Sequence, residues 1–200
     1  MRLKWSFAFI VVVLMATMQS AAFSAEQYTL DPEHTFVSYQ VNHLGFSNQV
    51  GKWPASGILK LDKNKPQNSK VAVKIIVDDM VTGIDELDKH LKSELFFDVA
   101  RYPVATFTSH KVEVTSKNTA KVYGALVLHG VSKPVVLAVK LNKAGQNPMS
   151  DKLTVGFSAS TTIKRSDFGM STFLPAIGDD VVIDIEAEAY TSNKAEDLDL

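Results

Sequence analysis

Along most of this chain, apolar and polar positions alternate with a period of two, the pattern of strands that bury one face. In "FVSYQVNH", Val37, Tyr39, Val41 and His43 fall on one side and Phe36, Ser38, Gln40 and Asn42 on the other. In "VGKWPASGILKLD", Pro54 limits the ladder, Gly57 marks a bend or bulge, and Ile58, Leu59 and Leu61 resume a strand. "VAVKIIVDDM" puts Val71, Val73, Ile75 and Val77 on one face. Five more segments follow: "ATFTSHKVEVT", "AKVYGALVLHG", "PVVLAVKLN", "KLTVGFSASTTI" and "DVVIDIEAEAY", with polar turns between them. The result is about eight strands at short intervals, an all-β antiparallel barrel or sandwich. A barrel is favoured because closure removes exposed edges.

One segment breaks this rhythm. In "TGIDELDKHLKSELFFDVARYP", Ile84, Leu87, Leu91 and Leu95 recur at three- and four-residue spacing and predict an amphipathic helix. Thr82 is its expected N-cap, Asp85 and Glu86 suit the positive end of its dipole, and Pro103 stops any continuation. Phe96-Phe97 would set aromatics against the barrel or its mouth, and Tyr102-Pro103 would turn the chain back into a strand carrying Phe107. No repeat or linker divides the chain, so one domain is expected over residues 25–190, followed by an acidic, frayed tail at 191–200.

The N-terminus adds an address. Arg2 and Lys4 precede an apolar run from Trp5 to Met18, and "QSAAFSAEQY" is rich in small residues. That order describes a secretory signal peptide over residues 1–24. The apolar run is shorter than the roughly 20 residues of a spanning helix. Small residues at −3 and −1 allow cleavage after Ala22 or Ser24, whereas cleavage after Ala25 would place Phe23 at −3. The expected location is the periplasm. The formal net charge of −1 argues against nucleic acid as a partner. With no cysteine, disulfides, thiolate metal sites and a lipoprotein anchor are all excluded.

No G-x-S-x-G elbow, P-loop or paired-histidine metalloprotease motif occurs. The five histidines, His34, His43, His90, His110 and His129, include no i,i+4 pair. Asp78-Asp79 and Asp179-Asp180 lie at segment ends and read as turn or cap residues. No catalytic residue, metal or cofactor is therefore expected. The strand faces are mixed in size: Val122, Gly124, Leu126 and Leu128 on one face, and Val155, Phe157, Ala159 and Thr161 opposite Gly156, Ser158 and Ser160. Small residues beside large ones fit either a close-packed interior or a cavity for an elongated apolar guest, and spacing alone favours packing. "IKRSDFGMSTFLPAIGDDV" combines Lys164, Arg165 and Asp167 with Phe168, Phe173 and Leu174, which suits either a cavity rim or an ordinary long connection.

Three blocks, "HLKSELFFDVARYPVATF", "GALVLHGVSKPVVL" and "IKRSDFGMS", occur in an order and spacing that resemble the YceI-like family of mostly periplasmic polyisoprenoid-binding proteins. The resemblance runs from "YTLDPEHTFVSYQVNHLGFSNQVGKW" to "DDVVIDIEAE". It departs at "ELDKHL", where Leu87 stands in place of a common Arg and Asp88 is followed by Lys89, and at Tyr28, where Trp is common. The resemblance implies an eight-stranded antiparallel lipocalin-like barrel with a helical insertion. It also implies a tunnel for a polyprenyl chain, an isoprenoid quinone or a fatty-acid-like lipid. On that reading the mixed faces line a cavity. Aromatic character and motif position nominate Phe36, Tyr39, Phe46, Phe96, Phe97, Phe107, Phe157, Phe168 and Phe173 as lining, with His43, Arg165 and Asp167 for the polar end. The implied role is lipid binding or transport. The alternatives are a quinone-linked redox accessory of a cytochrome b561-like membrane partner and a stress-response module that carries no lipid. Transient membrane contact and a homodimer are the remaining partner expectations.

Overall fold

The computed structural model describes residues 25–191, so the expected signal peptide and residues 192–200 of the expected tail lie outside the described residues. The strands are β1 (Glu26–Leu30), β2 (Phe36–His43), β3 (Ser47–Pro54), β4 (Ser56–Leu61), β5 (Lys70–Ile76), β6 (Val104–Val114), β7 (Thr119–Leu128), β8 (Val131–Gln146), β9 (Leu153–Lys164) and β10 (Ile177–Thr191). Among the described residues one α-helix occurs, α1 (Asp85–Lys92), between β5 and β6.

These ten segments trace eight antiparallel tracks. β1 and β2 run end to end along one edge of β10, and β4 and β3 run end to end along the next position. The remaining order is β4-β5-β6-β7-β8-β9-β10, and β10 returns to β1, which closes the ring. The expected eight-stranded antiparallel barrel with one helix is the fold observed.

The two broken tracks are stitched by Thr35. Its hydroxyl donates to the Glu188 carbonyl (3.0 Å) and accepts the Glu188 N–H (3.2 Å), while its own carbonyl accepts the Ala55 N–H (3.0 Å). A side chain therefore replaces the ladder where the chain turns through residues 31–35, and Thr35 is only 2% exposed. Where β6 bulges between Ser109 and Lys111, a second hydroxyl makes a similar repair, as Ser109 Oγ accepts the Val71 N–H at 2.8 Å.

The helix is shorter than its periodic stripe. It covers Asp85–Lys92, so Leu87 and Leu91 sit on it, while Ile84 and Leu95 flank it and are exposed. Thr82 is not the N-cap; Ile84 occupies that position. Thr82 instead donates its N–H (2.8 Å) and hydroxyl (2.6 Å) to Asp88 Oδ1, so a carboxylate one turn inside the helix fixes the entering chain. Asp179 and Asp180 also differ from the turn-residue expectation. They lie within β10 at its bulge; Asp179 accepts the Ser166 N–H (2.9 Å) and Asp180 pairs with Lys164 (2.8 Å).

Thr35→Val keeps the shape but removes the hydroxyl that serves both Glu188 groups. We expect a loss of about 1–3 kcal/mol, read as a lowered urea midpoint with an unchanged m-value.

Candidate functional site: a tunnel through the barrel

Inward positions follow the strand period. Val37, Tyr39, Val41 and His43 of β2 face the interior, as do Val71, Val73 and Ile75 of β5 and Val155, Phe157, Ala159 and Thr161 of β9. They enclose a cavity of about 850 Å³, within the range of small-molecule sites. The mixed-size faces thus line a hollow. Two glycines show how the wall leaves that room. Gly51 lies directly across from Tyr39, and a Cβ there would come 2.5 Å from the ring. A Cβ at Gly124 would come 2.4 Å from the Phe107 ring and 2.7 Å from the Thr108 carbonyl. Each ring lies against the wall, where any larger residue would push it towards the axis.

One end of the cavity is roofed by α1 and the loops around it. Leu87, His90 and Leu91 of the helix reach the cavity together with Phe96, Phe97 and Phe173. Trp53 is the hub of this roof. Its ring meets Tyr39 and Phe97, each at 5.4 Å between centroids, and its Nε1 donates to the Val77 carbonyl at 3.0 Å. His90 contacts Phe96 at 5.2 Å and stacks on Phe173 at 6.4 Å. The Thr172 hydroxyl donates to the Leu95 carbonyl at 2.7 Å and ties the Phe173 loop to the helix loop. Burial pushes the Tyr39 phenol up to about 12, and the nearby Asp88 charge adds to the shift.

Arg165 stands at the same end, 6% exposed. Its Nε donates to the Gly178 carbonyl (2.8 Å), its two terminal nitrogens to Met170 (2.8 Å), Thr172 (2.9 Å) and Ile177 (2.9 Å). The guanidinium is thus a peg holding the 170–178 loop against the barrel. Burial lowers its pKa, with Asp179 opposing the shift. The opposite end, formed by the turns after β4 and β6, is lined by Lys63, Ser69, Lys70, Ser116, Lys117 and Thr119. Among the described residues, no Asp or Glu lines the cavity and no group of three or more His, Asp and Glu side chains is placed to hold a metal ion.

Of the residues nominated from the sequence, Tyr39, His43, Phe96, Phe97, Phe107, Phe157, Arg165 and Phe173 lie along this one cavity. Phe36, Phe46, Asp167 and Phe168 do not. Phe36 has the opposite parity to Tyr39, so it faces outward, with Lys52 Nζ 5.2 Å from its ring. Phe46 projects from the β2–β3 turn, 89% exposed. Asp167 points to solvent from the short 3-10 turn Arg165–Phe168. Phe168 is 1% exposed but packs away from the cavity, and its carbonyl lies 2.9 Å from His129 Nδ1. Sequence reasoning missed Trp53, whose signal was its shared parity with Gln49 and Gly51 on β3, and the three lysines, of which Lys63 and Lys117 lie in turns that carry no period and Lys70 opens β5.

Comparison with known proteins identifies the frame. A family model described as a YceI-like domain matches residues 28–189. A UPF0312 protein of Pseudomonas savastanoi is 37% identical over 158 residues, covering 78% of this chain and 82% of the relative. The crystal structure of a Campylobacter jejuni YCEI protein has a TM-score of 0.69 at 32% identity, covering 76% of this chain and 90% of that one. A polyisoprenoid binding domain from Saccharophagus degradans, at 18% identity, shares the fold with a TM-score of 0.65 over 82% of this chain and 98% of its own.

Arg165→Lys keeps the charge but cannot serve carbonyls in four directions. We expect a stability loss of about 2 kcal/mol, with faster amide hydrogen exchange concentrated in residues 169–177.

Proposed function

The chain belongs to the YceI-like family, and on that premise we propose that it binds a long-chain isoprenoid or related amphiphile in its tunnel and carries it, without catalysis. The observation that carries this reading is the apolar cavity itself, about 850 Å³ and continuous from the aromatic roof to the lysine-lined end. Each buried CH₂ contributes about 0.8 kcal/mol, so a chain of about fifteen carbons gains roughly 12 kcal/mol before the cost of immobilisation. Affinity of that kind needs few polar contacts, which agrees with an interior built of valine, leucine, isoleucine and aromatic side chains. Polyprenyl lipids and isoprenoid quinones are the guests best suited to it, and the fold shared with a polyisoprenoid binding domain supports the same class.

Tyr39, Phe96, Phe97, Phe107, Phe157 and Phe173 are the proposed ligand contacts among the nominated aromatics, with Trp53 added from the structure. His43 is a proposed polar contact, while Arg165 acts by holding the roof loop. The basic, apolar and small-residue runs within residues 1–24 support export, so the proposed site of action is the periplasm.

Organic extraction of the purified protein followed by mass spectrometry should release an isoprenoid or other long-chain lipid. A lipid-free preparation that also takes up no added polyprenol or quinone would contradict the proposal.

A further inference from the structure

Among the described residues, the Lys, Arg, Asp and Glu side chains that line the tunnel are all cationic. They are Lys63, Lys70, Lys117 and Arg165, with no carboxylate among them. Arg165 is already engaged by four carbonyls at the roof. The three lysines gather at the opposite end. Lys63 and Lys70 flank the turn that contains Pro66–Asn68; this turn lies against β6, and Lys117 sits in the turn that follows β6. Lys63 pairs with Glu26 at 3.0 Å, a carboxylate outside the lining, and Lys70 donates to the His110 carbonyl. Among the described residues, neither Lys70 nor Lys117 forms an ion pair. The nearby Asp62 accepts the N–H groups of Asn64 (3.1 Å) and Lys65 (2.8 Å) and the Asn68 side chain, so it is turned to its own loop. Ser69, Ser116 and Thr119 add hydroxyls at the same rim.

An apolar tunnel ending in Lys70 and Lys117, which form no ion pair among the described residues, beside a Lys63 balanced by Glu26, has an electrostatic preference as well as a hydrophobic one. A cationic headgroup would meet like charge there. An anionic one would gain charge-assisted hydrogen bonds from ammonium groups whose stems already rest on the cavity wall. We infer that the tunnel selects amphiphiles with an anionic headgroup, a phosphate or a carboxylate, and holds that headgroup among Lys63, Lys70 and Lys117 with the tail running towards Trp53. This rests on the tunnel-binding reading and adds the ligand's charge and direction to it.

The test compares tails that differ only at the head: farnesyl monophosphate against farnesol, and palmitate against hexadecanol, titrated into the delipidated protein. Exposed charge pairs are individually weak, so the lysines together should favour the anionic member of a pair by about tenfold at low salt. The advantage should shrink at high ionic strength. The variant combining Lys63→Gln, Lys70→Gln and Lys117→Gln should lose it while binding the neutral members unchanged, which also shows that the barrel is intact. A gain confined to one pair supports the inference and identifies the head as phosphate or carboxylate. Equal affinity for charged and neutral members, or an advantage that survives in the triple variant, overturns the inference and leaves the tunnel reading standing. No binding of any of the four overturns both.

Discussion

Everything in this protein depends on β10 being paired along both edges. One edge meets β9 from Asp180 to Thr191; the other meets β2 and then β1. Without that second edge the structure would be an open, strongly twisted sheet whose apolar face could only collapse. With it, eight tracks enclose a fixed diameter, and every second side chain must point inward. Closure has one weak place, the chain break at residues 31–35. There Thr35, Asp31 and Glu188 exchange hydrogen bonds in place of a ladder. A buried threonine hydroxyl thus stands where the barrel would otherwise leave backbone groups unpaired.

A closed ring of this size can be filled or hollow, and side-chain volume decides which. Here glycines lie beneath Tyr39 and Phe107, so the largest rings lie along the wall. Bulky groups concentrate at the helical roof, where Trp53 meets Phe97, and His90, Phe96 and Phe173 meet one another. The central section is left to Val, Ile, Leu and Ala. Arg165, with its four carbonyl acceptors, fixes the loop that completes the roof. Charge is thereby confined to the two ends of an otherwise apolar passage.

The strands were legible because burial on one face imposes a period of two, and that period survives in the sequence. It also carried information not fully used. Phe36 and Tyr39 have opposite parity, so both could not line one cavity, and the barrel turns Phe36 outward. The helix was legible as an apolar stripe, but its length was not. Leu95 continues the spacing although the helix ends at Lys92, because the roof loop takes over through Phe97 N–H to Leu91 and Asp98 N–H to Ser93. Phe168 and Asp167 belong to a conspicuous motif, yet a short 3-10 turn sends one into packing behind the wall and the other into solvent. The lysine end was invisible. Lys63 and Lys117 lie in turns and Lys70 is the first residue of β5, and it is the antiparallel pairing of β5 with β6 that brings the turn after β4 beside the turn after β6. Hollowness was undecided for a similar reason, since a glycine opposite an aromatic ring has the same spacing in a packed interior and in a hollow one.

The central claim is that the interior is a lipid-accessible passage bordered by Trp53. It is tested most directly by quenching. With Trp5→Phe, Trp53 is the sole indole. A long-chain lipid brominated along its tail should quench it saturably at about one lipid per protein, while the unbrominated lipid competes the quenching away. Emission that stays unchanged, or falls only in proportion to free quencher, would contradict the account.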